Sequence, residues 1–391
     1  MTLPVVTAVR TLVTAPDGVN LVVVRVETDV DGLYGLGCGT FTFRAHAVAQ
    51  VVDTYLAPRL VGRPIGDITD IFYSLYLAPY WRTGPIENNA LSAIDLALWD
   101  LKGKLAGMPV WSLLGGKVRQ YLDAYRTVLA PTEGELVDIV RQRIDEGESS
   151  FRVLLEDPGD PTAVPYYGEP YMNAMESLLR LLRRQLGDEP RLIVDVHGRL
   201  SPSECIRFAG AIEESKPYYL EDPLVLEDLG WLPRLRAQTR LPIAMGELFT
   251  DVNEYAAPIS RREIDFIRCH ITSIGGLTPA IRLMHFAEVF GVKTAWHGPA
   301  DLSPIGHAAN AALGISALNF GIHEHSQPGA ATQEVFPGSL VMSGGRVVPS
   351  DAPGWGIDFD EKRAARHEAV SGDVRSFLEF RRRADGTIQH P

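Results

Sequence analysis

The chain is short of three things, and each shortage removes a class of function. Cysteine occurs three times in 391 residues, at Cys38, Cys205 and Cys269. An odd and scattered set offers neither a disulfide framework nor a Cys-x-x-Cys metal site, and it fits a reducing, cytoplasmic compartment. Basic charge is in deficit, with 37 Lys and Arg against 49 Asp and Glu and a net charge of −12. The pI is near 5.3. Nucleic acid needs a basic face to neutralise phosphate, so no nucleic-acid partner is expected, and the run Arg381-Arg382-Arg383 reads as a solvated surface. Long apolar runs are missing too. The most apolar helix candidate, Tyr171 to Leu186, carries Arg180, Arg183 and Arg184, which makes it amphipathic and too short to span a bilayer; no membrane role is expected. The opening Met1-Thr2-Leu3-Pro4 passes directly into an alternating pattern, without the basic start and apolar core of a signal peptide.

What is present is enough apolar material, 46% of residues, for a large core, and a length that suggests two or three structural units. Val5 to Val13 and Asn20 to Thr28 are rich in β-branched residues and flank the turn Ala15-Pro16-Asp17-Gly18, which predicts a hairpin. Tyr34 to Gly39 adds a third strand. Helical patterns follow at His46 to Leu60, Ile68 to Leu77 and Glu87 to Ala106, the last with a stripe of Ile94, Leu98, Leu101 and Leu105 and a stop at Gly107-Met108-Pro109. Residues 1–115 therefore read as an α+β domain.

From Tyr121 the rhythm changes. Short apolar runs near 121–128, 150–155, 191–195, 217–221, 242–246, 264–268, 292–296 and 317–321 alternate with helix-length segments. Such alternation suits a (β/α)8 barrel over 116–335, or equally a doubly wound open sheet. After about Phe336 the pattern loosens, and residues 336–391 are expected to pack back on the first domain.

Three of these runs end in a carboxylate: Asp195, Glu221 and Glu247, spaced 26 and 26 residues apart. One such acid could simply cap the next helix. Three in equal register, on successive parallel strands, converge at one end of the sheet, where their repulsion calls for a hard cation such as Mg²⁺. That convergence favours the barrel, whose chemistry lies on this rim. Further along the rim stand Arg268, His297, Asp301 and Glu324, each after an apolar run. A metal with cationic and titratable neighbours is what proton abstraction beside a carboxylate requires, because the enolate must be stabilised.

At these residues the chain resembles the enolase superfamily, and within it the mannonate dehydratase group of acid-sugar dehydratases. The resemblance spans nearly the whole chain: Tyr80-Trp81-Arg82-Thr83-Gly84-Pro85, Ala93-Ile94-Asp95-Leu96-Ala97-Leu98-Trp99-Asp100, Leu113-Leu114-Gly115-Gly116-Lys117, Asp195-Val196-His197-Gly198-Arg199-Leu200, Leu220-Glu221-Asp222, Gly246-Glu247, His297-Gly298-Pro299-Ala300-Asp301-Leu302-Ser303-Pro304 and Asn319-Phe320-Gly321-Ile322. It implies a modified (β/α)8 (TIM) barrel under an α+β capping domain formed by both chain ends, with one Mg²⁺ per subunit on Asp195, Glu221 and Glu247. It also implies β-elimination of water from a sugar acid to a 2-keto-3-deoxy acid. His197 maps to the acid that protonates the leaving hydroxyl, and Tyr167, with Tyr166 adjacent, to the base. Arg268, His297, Asp301 and Glu324 map to the substrate-facing rim. The family forms homo-oligomers, often octamers built from dimers.

The departures are informative. Leu155 stands where the resemblance calls for an arginine that holds the tyrosine as phenolate, and a tyrosine near pKa 10 is a poor base without a positive neighbour. On strand alternation, Arg152 is expected to reach the site only through a slip in register. Thr42 replaces an asparagine and Thr127 a histidine at substrate-contacting positions, and Pro299 replaces an alanine, changes that point away from D-mannonate. The leading expectation is a Mg²⁺-dependent sugar-acid dehydratase, with His297 as the alternative base. A hydroxy-acid racemase or epimerase, and a metal-binding relative without dehydratase turnover, are the alternatives.

Overall fold

The computed structural model describes residues 3–155, 167–371 and 386–387. Its first layer is an antiparallel sheet of β1 (Val6–Thr14), β2 (Leu21–Thr28) and β3 (Tyr34–Cys38), in that order. The helix Pro85–Ala106 lies against β3. Close approach is possible there because a Cβ at Gly35 or Gly37 would strike the carbonyl oxygens of Ala97 and Ala93. The helix ends where Gly107 takes a left-handed φ of 65°, a conformation that costs glycine little. The segment expected to be one helix over 46–60 is Ala45–Val51 and Ala57–Leu60 joined through a π-helical stretch, Val52–Leu56.

Eight parallel strands follow: β4 (Leu122–Ala130), β5 (Ser150–Leu155), β6 (Arg191–Asp195), β7 (Tyr219–Glu221), β8 (Ile243–Met245), β9 (Phe266–Ile267), β10 (Lys293–Thr294) and β11 (His323–Glu324). Neighbours pair in chain order from β4 to β10, and β11 pairs with β4. A parallel bridge between Thr294 and Phe320 closes the ring. The barrel interior is filled by Tyr125, Ile193, Tyr219, Ala244, Phe266, Ala295 and Ile322, and the opposite strand faces join the helices in the main core. The last strand begins later than the apolar run 317–321 suggests: Asn319 and Phe320 approach Thr294, while the ladder to β4 starts at His323. A short β12 (Arg346–Val347) pairs antiparallel with the start of β4, at Leu122 and Asp123.

Helix Pro85–Ala106 joins the layers. Asn88 Nδ2 donates to the carbonyls of Thr250 and Ser273 at 2.7 Å each. Asp95 accepts from the Thr278 amide at 2.9 Å, at the start of the helix Leu277–Val289. The segment beyond the barrel returns to the first sheet. Trp355 Nε1 donates to the carbonyls of Leu36 and Leu96, and Glu361 pairs with Arg10 at 2.7 Å and Arg25 at 3.2 Å. Among the described residues no helix is long and apolar enough to cross a membrane.

Candidate active site

The carboxylates are placed by where each strand ends. Asp195 closes β6 and Glu221 closes β7, directly opposite each other in the ladder, and Glu247 lies two residues past β8. All three converge at the C-terminal mouth of the barrel, joined by Asp222 from the turn after β7 and by Glu324, the last residue of β11.

Two buried guanidinium groups tie this cluster together. Arg268 Nη2 lies 2.8 Å from Glu221 and 2.7 Å from Glu324, and its Nη1 is 3.3 Å from Asp222 and 3.2 Å from Glu247. Arg152 reaches Glu221 at 2.6 Å, Asp195 at 3.2 Å and Glu324 at 2.9 Å, and its Nε donates to Thr127 Oγ1 at 2.9 Å. Thr127 and Arg152 are register partners on β4 and β5. No register slip is involved: with Phe151 and Val153 in the outer core, the pleat turns Arg152 inward. Leu155 ends β5, and its side chain lies outside the described part of the structure.

Five carboxylates thus share two guanidinium groups, and a divalent ion would bring the cluster close to neutrality. Burial raises the pKa of Glu221 far above its ordinary value, despite Arg268 and Arg152. Burial together with Asp222 and Asp195 does the same to Glu247. Burial also pushes Asp222 up to about 6, against the pull of Arg268. For Glu324 and Asp195 burial acts upward, but in Glu324 it is outweighed by Arg152 and Arg268 and in Asp195 by His197 and the arginines, so both lie low. The buried Glu221 Oε2 has no hydrogen-bond partner among the described residues, and Asp195 Oδ2 lies 2.8 Å from His197 Nε2. Oxygens of a charged group left in this way suit a hard oxygen-seeking ion. Oxygen atoms of Glu221, Asp222 and Glu247 all lie within 4.8 Å of one another, as do ligand atoms of Asp195, His197 and Glu247.

The backbone is bent to present these groups. His197 and Asp222 have φ values of 50° and 36°, in a region where each non-glycine residue costs on the order of 1–3 kcal/mol. The His197 amide donates to Asp195 Oδ1 at 3.0 Å, which holds the turn. Burial lowers the His197 pKa, opposed by Asp195. His297 Nε2 lies 3.3 Å from Glu247, and its Nδ1 is 2.9 Å from Nδ1 of His270. Burial, with Arg268 and His270 adding to it, lowers His297 well below the usual histidine range. Its neutral form, which accepts a proton, therefore prevails near pH 7.

Seven of the residues singled out from the sequence meet in this network: Asp195, Glu221, Glu247, His197, Arg268, His297 and Glu324. Thr127 touches it through Arg152, and the half-buried Asp301 acts on His270 through its charge. Tyr167 is half-buried just ahead of the helix Gly168–Leu186. Tyr166 lies outside the described residues, as does the side chain of Thr42 on the turn Thr42–Arg44. Asp222, Tyr125 and His270 were not recognised as site residues from the sequence. The signal was available for His270, which follows Arg268 at the same two-residue step by which His197 follows Asp195.

The chain is similar to known proteins over nearly its whole length. Residues 1–115 match the mandelate racemase/muconate lactonizing enzyme N-terminal domain, and residues 135–363 match the enolase C-terminal domain-like family. A D-galactonate dehydratase family member from Salmonella virchow is 42% identical, with 99% of each chain covered. The crystal structure of an enolase from Pantoea ananatis with bound D-gluconate and Mg is 42% identical and superposes with a TM-score of 0.95, covering 99% of this chain and 100% of that one. A putative dehydratase from Zymomonas mobilis, 25% identical, gives a TM-score of 0.86 over 94% of this chain and 99% of its own.

Proposed function

The chain belongs to the enolase superfamily and to the D-galactonate dehydratase family within it, and from that premise we propose that it is a Mg²⁺-dependent dehydratase of six-carbon sugar acids. The observation that carries the reading is the convergence of Asp195, Glu221 and Glu247 beside His197 and His297. Asp195, Glu221 and Glu247 would hold Mg²⁺, which would supply positive charge beside the substrate carboxylate as the C2 proton is lost.

The chain's own groups perform the rest. A base removes the C2 proton; His297, held neutral, and Tyr167 are the two candidates. The C3 hydroxyl leaves as water with a proton from His197, whose charged form Asp195, 2.8 Å away, favours against burial. The resulting enol becomes the 2-keto-3-deoxy acid by losing its C2 hydroxyl proton and taking a proton at C3. Arg152 and Arg268 hold the carboxylates in one arrangement, so that little reorganisation accompanies the reaction. D-Gluconate, the ligand of the Pantoea ananatis relative, is the first substrate to test. Threonines at 42 and 127 with proline at 299 argue against efficient use of D-mannonate.

The test is a library of aldonic and aldaric acids assayed with Mg²⁺ for 2-keto acid formation in deuterated water. Formation of a 2-keto-3-deoxy product supports the dehydratase. Deuterium entering C2 with every hydroxyl retained would establish a racemase or epimerase instead, and silence across the library would point to a metal-binding protein without turnover.

A further inference from the structure

Behind the rim, on the outer side of the barrel wall, three more histidines meet. Glu324 points into the barrel, so its neighbours His323 and His325 turn outward by strand alternation. There they face His307, on the helix Pro304–Ser316. The His307 and His325 ring centroids are 5.3 Å apart, and those of His323 and His325 are 5.8 Å apart. All three residues are buried, and one ring nitrogen from each falls within 4.8 Å of the others.

Their hydrogen bonding is incomplete in one particular way. His307 Nδ1 and His323 Nε2 have no hydrogen-bond partner among the described residues, and the His325 ring has the Leu340 backbone as its hydrogen-bonding neighbour, which leaves its second nitrogen free for another ligand. His307 Nε2 lies 3.3 Å from the Pro299 carbonyl. The tautomer that donates this proton leaves the Nδ1 lone pair free, as an outer-shell carbonyl does for a metal-binding histidine. Buried polar nitrogens seldom go unpaired, and here one from each of three rings lies within 4.8 Å of the other two. Burial lowers the pKa of His307 to about 4 and of His323 to about 3, so the rings are neutral and their lone pairs available.

We propose that His307, His323 and His325 form a second metal site, distinct from the carboxylate centre, that takes a borderline transition-metal ion such as Zn²⁺. Three imidazoles and no carboxylate match Zn²⁺ and its neighbours in ligand preference and disfavour Mg²⁺. Zinc binds imidazole nitrogen at about 2.0–2.1 Å, so tetrahedral ligands sit about 3.3 Å apart, and the three rings would draw in from a spacing within 4.8 Å to close on the ion. A cavity of about 310 Å³, lined by His307 and His325 with Asp17, Ser326 and Gln327, adjoins the cluster and gives the ion an entry path and room for a fourth ligand. An ion there would fix the strand end that presents Glu324 to Arg152 and Arg268. The inference does not depend on the proposed dehydratase activity.

Chelator-stripped full-length protein, titrated with Zn²⁺ in millimolar Mg²⁺ and then dialysed against Mg²⁺, is expected to retain one equivalent of zinc. Its Tm should rise with free Zn²⁺ concentration. Co²⁺ as a probe should show the intense visible absorption of a tetrahedral nitrogen site. His325→Gln and His307→Asn should each lose that equivalent and that band while keeping Mg²⁺ binding. Full retention of zinc in either variant overturns the proposal. So does a wild-type protein whose zinc is entirely displaced by Mg²⁺, or whose Co²⁺ gives only a weak octahedral band, and these two readings stand even if a variant fails to fold.

Discussion

Arg152 Nη1 lies 2.6 Å from Glu221 Oε1 at the centre of the barrel mouth, with both side chains buried. The pair is an ion pair taken out of water, one arginine serving three carboxylates. Removing one partner of such a pair leaves an uncompensated buried charge. Arg152→Leu should therefore lower stability by about 3–5 kcal/mol, measured by urea unfolding without Mg²⁺. A loss below about 1 kcal/mol, the range of exposed pairs, would show that Arg152 does not balance the cluster.

Glu221→Gln keeps the shape of the side chain and removes one of the three charges assigned to Mg²⁺. Its Mg²⁺ affinity by calorimetry should fall at least about 100-fold, more than an outer-shell change produces. Unchanged affinity would remove Glu221 from the ligand set.

His197→Asn tests the acid. On an acid that turns over, kcat should drop about 10²–10⁴-fold, the usual contribution of a positioned proton donor, while Mg²⁺ affinity stays as in the wild type. The base is separated by exchange at C2. If His297 is the base, His297→Asn abolishes deuterium incorporation and Tyr167→Phe preserves it; the opposite result assigns Tyr167.

Asp95 predicts a pH dependence of a different origin, in the contact between helix Pro85–Ala106 and the barrel. Burial raises its pKa to about 7, against the hydrogen bonds from Thr278 and Leu277. Since the folded value exceeds the unfolded one, near 3.9, the stabilisation is fully present below about pH 4 and is lost as the pH rises through 7. The whole effect is on the order of 4 kcal/mol at most. The Tm of the wild type should therefore fall between pH 5 and pH 8 more steeply than that of Asp95→Asn, as followed by circular dichroism. Parallel curves for the two proteins would mean that Asp95 does not titrate in this range.

Much of the scaffold is legible in the chain because it is written in local patterns. The hairpin is legible from the Pro-Asp-Gly turn between β-branched runs, and the helix Pro85–Ala106 from its apolar stripe and glycine stop. The first seven barrel strands coincide with short apolar runs. The eighth does not, because Asn319 and Phe320 are used to approach β10 and the pairing with β4 is left to His323 and Glu324. A non-local bridge has no signature in the residues that make it.

The sequence by itself determined that three acids, evenly spaced behind apolar runs, would stand at one end of a parallel sheet, since successive parallel strands all end on the same side. It also determined the step from Asp195 to His197. Only the tertiary structure decided which way Arg152 points, that His270 meets His297, and that His307 faces His323 and His325. The reason is physical. Alternation along a strand says that neighbours point to opposite sides, but which side is inside depends on how the strand sits between its partners. Contacts between a strand and a helix exist only once the barrel has closed and the two have packed.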